Sequence, residues 1–265
     1  MSDQIRALTV DELERYQQDG VIMAKGLLST EWLARIETAV VRAMASPSPI
    51  AEVFSEPKAG FHMEAALFVS DPDIQDVVRH SSMAKLAQML MSSRQIHFFY
   101  DQMFCKQAGN QTPTPWHHDL TFWPVLGNQI CSMWIPLDHV TRESSGLEFV
   151  KGSHRWENEY KAISPMYNER LVNPEHEDVP DIENNRDKYD LIGWEMDPGD
   201  MLIFHPRTLH GSSGNYHLSR QRRAISFRWL GDDVSYAPTN YTMPWPAKNL
   251  TAGDRIAEPA FTQII

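Results

Sequence analysis

From Ser93 onward the chain is a succession of short runs of β-branched and aromatic residues, each closed by Gly, Pro, Asn or Asp. Residues 96–100, 102–107, 130–137, 147–150, 201–204 and 224–230 are long enough for strands and too short for stable isolated helices. That spacing suggests an antiparallel sandwich or barrel.

The first third reads differently. Thr9 and Glu12 form a capping box opening an amphipathic helix through Leu13 and Tyr16, with Gly20 placed as its C-terminal cap, and a strand is predicted over 21–25. A second helix starts at Ser29 or Thr30, where Trp32, Leu33, Ile36, Ala39, Val40 and Met44 recur at helical spacing, and a third covers 83–91. No repeat and no Pro/Gly/Ser-rich linker separates helices from strands. The expected architecture is mainly β with flanking α-helices in one domain, 1–265, with helices over 9–92 packed outside a β core over 93–232. The polar stretch 156–189, with Pro165, Pro174, Pro180 and an acidic run, is either a lid over a pocket or a surface loop.

Lys and Arg number 24 against 35 Asp and Glu, a formal charge of −11, which argues against a nucleic-acid groove or a polybasic membrane surface. No apolar run approaches the roughly 18 residues of a membrane span, and residues 1–7 lack a signal pattern, so a cytoplasmic protein is expected. Cys105 and Cys131 lie in strand-like apolar runs, as buried free thiols do. Nucleophile-elbow, phosphate-loop, dinucleotide-binding, Cys-x-x-Cys and His-Glu-x-x-His patterns are all absent, removing most support for hydrolases, kinases and Rossmann enzymes.

What remains is a histidine set. In an extended chain residues i and i+2 share a face, so His117 and Asp119 of Trp116-His117-His118-Asp119 can present a nitrogen and a carboxylate to one ion. A His-x-Asp pair is weak by itself: His176-Glu177-Asp178 is another, in the acidic loop without a strand to fix it. The first pair gains from His210, 91 residues after Asp119, beyond the turn Asp197-Pro198-Gly199-Asp200 and the strand that follows it. Two histidines and one carboxylate with open positions are the facial triad of non-haem iron(II) oxygenases. An arginine from the segment Arg220, Arg222, Arg223 beside such a site suits the far carboxylate of an organic acid chelating the metal; a solvated basic turn is the other reading.

These motifs, with Trp134-Ile135-Pro136-Leu137, Gly146-Leu147-Glu148-Phe149-Val150, Gly152-Ser153-His154 and Arg222-Arg223-Ala224-Ile225-Ser226, occur in an order that resembles the phytanoyl-CoA dioxygenase family over most of residues 20–230. The resemblance implies a double-stranded β-helix (a cupin-like jelly roll) and an Fe(II)-dependent dioxygenase using 2-oxoglutarate and O2 and releasing succinate and CO2. It makes His117, Asp119 and His210 the iron ligands and Arg222 the clamp on 2-oxoglutarate, with Ser212, Trp134 and Gln102 helping to seat it. The family usually has one residue fewer between the distal histidine and this arginine, which keeps Arg220 as the alternative. An intact Asp119 implies hydroxylation rather than halogenation.

For the substrate pocket Tyr100, His118, Phe122, Trp123 and Trp229 are candidates, each also a plausible packing residue. Arg207, Arg220 and Arg223 could draw an anionic substrate, or the aromatics a cationic amine; a zwitterionic amine, a phosphonate or a natural-product intermediate would fit. An acyl-CoA hydroxylase, or a β-barrel binding protein with a structural metal or none, are the alternatives. Oligomeric state is not legible.

Overall fold

The computed structural model describes residues 6–56, 60–162 and 172–265. In chain order it contains α1 (Val10–Asp19), β1 (Val21–Ala24), α2 (Thr30–Ala45), α3 (Pro49–Phe54), β2 (Phe61–Ala65), α4 (Pro72–His80), α5 (Met83–Met91), β3 (His97–Lys106), β4 (Thr114–His117), β5 (Val125–Leu126), β6 (Ile130–Pro136), β7 (Leu147–Val150), β8 (Leu191–Gly193), β9 (Met201–Phe204), β10 (His210–Ser212), β11 (Arg222–Leu230), β12 (Ser235–Tyr236) and β13 (Thr262–Gln263).

The helical third follows its local chemistry. Thr9 and Glu12 make both bonds of the capping box of α1, and Gly20 ends that helix in the left-handed conformation (φ 78°). Ser29 caps α2, and α5 has the predicted bounds. Two helices went unpredicted although each begins with the same signature, a capping side chain followed by proline. The Ser48 hydroxyl accepts from Ile50 and Ala51 N–H at the start of α3, and Asp71 accepts from Asp73 and Ile74 at the start of α4.

A seven-stranded sheet runs β1-β9-β6-β11-β3-β13, with β2 also paired to β3. Facing it is a four-stranded sheet, β4-β10-β7-β8, and the paired strands of both sheets run antiparallel. The two sheets make the jelly roll that the family resemblance implied. The runs 96–100 and 102–107 are one strand, because the Asp101 carboxylate between them accepts from Leu67 and Phe68 N–H (both 2.8 Å) on the helix-bearing side.

Period-two alternation divides the large sheet. Met103, Cys105, Cys131, Met133, Ile135, Ile203, Ile225, Phe227 and Trp229 face outward and build the main core with α1, α2, α4 and α5. Each large side chain fully buried here is worth about 1.5–3 kcal/mol. The opposite face turns Trp134, Leu202, Phe204 and Ala224 toward Phe149, Leu147 and Ile192 of the small sheet. This corrects one expectation: Trp229 is not at the substrate pocket but fully buried on the helical side, its ring 5.2 Å from Phe98. Cys105 and Cys131 are free and buried, as read from sequence. Of the segment expected to form a lid, residues 163–171 lie outside the described residues. The described flanks run beside Trp116 and Thr121, where Tyr160 pairs with Glu177 and Trp116 Nε1 donates to Glu183 (3.2 Å).

Candidate metal centre and co-substrate pocket

The small sheet brings the histidines together by register. His210 in β10 stands directly opposite His117 in β4, their ring centroids 4.3 Å apart. After His117 the chain takes one extended residue, His118 (φ −120°, ψ 145°), so Asp119 returns to the same side at the start of a 3-10 turn (Asp119–Phe122). The Asp119 N–H donates to the Pro206 carbonyl (2.8 Å), tying that turn to the segment leading into His210. One ligand atom from each of His117, Asp119 and His210 lies within 4.8 Å of the others; Asp119 Oδ1 is 3.6 Å from His117 Nε2 and 3.8 Å from His210 Nε2.

Hydrogen bonds fix the tautomers. His117 Nδ1 is 2.7 Å from the Pro115 carbonyl and His210 Nδ1 2.9 Å from the Thr208 carbonyl. A carbonyl only accepts, so both Nδ1 atoms carry the proton and both Nε2 lone pairs point at the shared space. Burial among Phe149 and Phe204, and then His117, push His210 down to about 4, keeping it neutral. Burial by itself would raise the Asp119 carboxyl, but His117, His210 and Arg228 outweigh it and hold the group well below the usual carboxylate range. Two imidazoles and one carboxylate on one side, with no cysteine near, fit a mononuclear non-haem iron(II) site rather than a closed structural zinc site.

The same cavity receives a cation. Arg222 is 3% exposed, its Nη2 donates to the Ser145 hydroxyl (3.2 Å), its guanidinium lies 5.9 Å from the Trp134 ring, and its Nε has no partner among the described residues. Burial brings this arginine down to about 10. Ser145, in the left-handed region (φ 66°), lies 2.9 Å from the Ser212 hydroxyl and donates to the Ser213 carbonyl (2.7 Å). Lys106, directly across the sheet from Arg222, donates to Ser212 (3.3 Å) and to the carbonyls of Thr112 (2.9 Å) and Ser213 (3.1 Å); burial, then Arg222, push it down to about 6. Lys106 and Ser145 were not singled out from the sequence. The signal for Lys106 was available, since it alternates in phase with Gln102.

Of the other candidates, Tyr100, Gln102, Phe122, Trp123 and Trp134 line the cavity. The Gln102 side-chain Oε1 accepts from Arg228 Nη2 (2.8 Å). His118 does not line it: the ring turns away from the triad, its Nε2 accepts from Tyr160 N–H (3.3 Å), and burial pushes it down to about 3. The arginines expected at the mouth are elsewhere. Arg207 pairs with Glu159, Arg223 with Asp138 (2.7 Å) and Glu37 (3.1 Å), and Arg220 is exposed beside a separate surface groove. His176 stays in the loop near Thr121 and Tyr160, and Asp178 pairs with Lys161, so that second His-x-Asp forms no metal-ligating cluster among the described residues.

A jelly roll carrying this triad, with a buried arginine in the same cavity, defines the class of iron- and 2-oxoglutarate-dependent oxygenases. Residues 16–224 match the family described as Phytanoyl-CoA dioxygenase (PhyH), and the chain belongs to that family. A probable phytanoyl-CoA dioxygenase of Caenorhabditis elegans is 32% identical over 124 residues, 45% of this chain and 37% of that protein. The peroxisomal phytanoyl-CoA dioxygenase of Rattus norvegicus is 22% identical over 243 residues, 86% of this chain and 70% of the relative. Among solved structures, the non-heme alpha ketoglutarate dependent carbocyclase SnoK from nogalamycin biosynthesis superposes with a TM-score of 0.76 over 97% of both chains at 19% identity, a likeness of fold. Among the described residues no helix is long and apolar enough to cross a membrane.

Proposed function

We propose that the protein is an Fe(II)- and 2-oxoglutarate-dependent hydroxylase acting on an unactivated C–H bond of a small molecule. The observation that carries this is the convergence of two lone-pair-bearing Nε2 atoms and one carboxylate in a cavity that also holds an arginine without an ion-pair partner among the described residues. His117, Asp119 and His210 would hold the iron, and Arg222 would bind the distal carboxylate of 2-oxoglutarate, with Ser145, Ser212 and Lys106 around it and Trp134 as the wall. When bound, iron with 2-oxoglutarate and O2 supplies the oxidation of a C–H bond, 2-oxoglutarate leaving as succinate and CO2.

The chain's own part is positional and electrostatic. The Pro115 and Thr208 carbonyls hold both imidazoles in the ligating tautomer. The neighbouring histidines and Arg228 keep Asp119 ionised. Phe122, Leu147 and Phe204 line the cavity and reduce its water, which strengthens the Arg222–carboxylate attraction. Asp119 already fills the third protein ligand position, which favours hydroxylation over halide transfer.

The test is anaerobic titration of the metal-free protein with Fe(II) and then 2-oxoglutarate. The expected result is one iron per chain and a weak visible metal-to-ligand charge-transfer band on adding the co-substrate. His117→Ala and His210→Ala should each lose both while keeping the wild-type circular dichroism. Full iron loading without the band would remove the co-substrate from the reading.

A further inference from the structure

Arg228 is a second buried guanidinium on the inner face of β11, and the oxygenase reading asks of it only that it help keep Asp119 ionised. It shares parity with Arg222 and stands six residues further along, roughly 20 Å of strand at about 3.3 Å per residue. Their surroundings on β3 differ by the same step: Arg222 stands across from Lys106, whereas Arg228 lies over Tyr100. Both line the cavity that holds the triad.

The side chain is 3% exposed. Its Nη2 donates to Gln102 Oε1 (2.8 Å), while Nε and Nη1 have no partner, and no carboxylate forms an ion pair with it among the described residues. The guanidinium carbon is 4.3 Å from the Tyr100 ring and 5.5 Å from the Trp123 ring. Ring contacts of this kind, with the through-space attraction of the Asp101 and Asp119 carboxylates, offset only part of the cost of burying this charge. The two rings, nearly perpendicular with centroids 6.1 Å apart, approach the guanidinium without supplying an oxygen acceptor, and its Nε and Nη1 are left in need of one. The rings are also already occupied: aromatics that could cage a cationic amine hold the protein's own cation instead.

We propose that Arg228 determines specificity by anchoring the substrate, and that the molecule oxidised here carries a carboxylate, phosphate or phosphonate. This rests on the oxygenase reading, with Arg222 committed to 2-oxoglutarate and Arg228 to the acid group of the substrate.

The test uses the full chain loaded with Zn(II) and saturated with 2-oxoglutarate. Acetate and methylphosphonate are titrated against acetamide and methylammonium as uncharged and cationic controls, by calorimetry and by the fluorescence of Trp123 beside the guanidinium. The anions should bind about tenfold or more tighter than acetamide, the difference expected of a charge-assisted hydrogen bond. Arg228→Gln should bring them to the acetamide level, and Arg228→Lys should restore part of the gap. Gln102→Glu, which supplies an internal carboxylate to Arg228, should also abolish anion binding without lowering the melting temperature. Anion binding that is absent in the wild type, or unchanged in both Arg228→Gln and Gln102→Glu, overturns the proposal, as does tighter binding of methylammonium. Loss of 2-oxoglutarate affinity in Arg228→Gln would assign Arg228 to the co-substrate and also overturn it. Failure of the wild type to bind 2-oxoglutarate at all would instead count against the oxygenase reading.

Discussion

Replacing Arg222 by alanine tests the co-substrate pocket most directly, because Arg220 two residues earlier is a built-in control. Arg222 is almost wholly buried, spends one donor on Ser145 and has no carboxylate partner among the described residues, so an incoming carboxylate meets a desolvated cation with free N–H groups. Two charge-assisted hydrogen bonds at about 1.5–3 kcal/mol each amount to about 3–6 kcal/mol, or a roughly 10²- to 10⁴-fold loss of 2-oxoglutarate affinity. Arg220 is exposed, its carbonyl accepts from Asn215 Nδ2, and it borders a groove away from the triad. Its alanine variant should bind 2-oxoglutarate within about twofold of wild type, as surface changes usually do. Calorimetric titration of 2-oxoglutarate into Zn(II)-loaded protein reads both variants. The metal-free Arg222→Ala protein should be as stable as wild type or more so, since an unpaired buried charge has gone. An Arg222→Ala affinity within threefold of wild type, or a larger loss in Arg220→Ala, would refute the assignment.

Trp229→Ala should cost about 3–5 kcal/mol in denaturant unfolding, because the ring is fully buried against Phe98 on the helical side. The folded variant should keep its 2-oxoglutarate affinity, and a loss confined to binding would contradict that placement. Asp101 gives a pH signature: burial raises its carboxyl to about 6 from 3.8 despite the two N–H groups it accepts from. The folded state therefore holds the proton more tightly than the unfolded chain. Stability from this group is full below about pH 4 and is lost as pH rises through about 6, a difference of about 3 kcal/mol. The gap in unfolding free energy between wild type and Asp101→Asn, followed from pH 4.5 to 7.5, should carry that slope; a constant gap would show that Asp101 keeps an ordinary pKa. Thr9→Ala removes one side of the α1 capping box and should cost about 1 kcal/mol in the same assay.

The elements legible in the sequence were those whose pattern is local. The capping box at Thr9, the helix over 83–91 and the strands over 147–150 and 201–204 each depend on neighbours within a turn or a pleat, and the structure has them where the pattern falls. The strand β10 was not read, since three residues, His210, Gly211 and Ser212, carry no periodicity; they are a strand because β4 and β7 flank them. Ser145 was missed for a similar reason. Its role comes from a left-handed turn that aims its hydroxyl at Ser212 and Ser213, contacts 67 and 68 residues away in the chain.

Strand parity was the part of the site the sequence already contained. Once Arg222 is taken to face inward, alternation along β11 puts Ser226 and Arg228 inward with it and sends Arg223, Phe227 and Trp229 to the other face. Trp229 could not then share the pocket with Arg222, and Arg228 had to. One irregularity limits the rule: the β11–β3 register shifts between Phe227 and Trp229, so that Phe99 and Tyr100, adjacent in sequence, both join the inner aromatic cluster with their rings 4.8 Å apart. That bulge sets the Tyr100 ring under Arg228, and a strictly regular strand would have sent one of the two aromatics to the helical side. The pocket's second guanidinium is thus placed by alternation, and its aromatic seat by the one break in alternation.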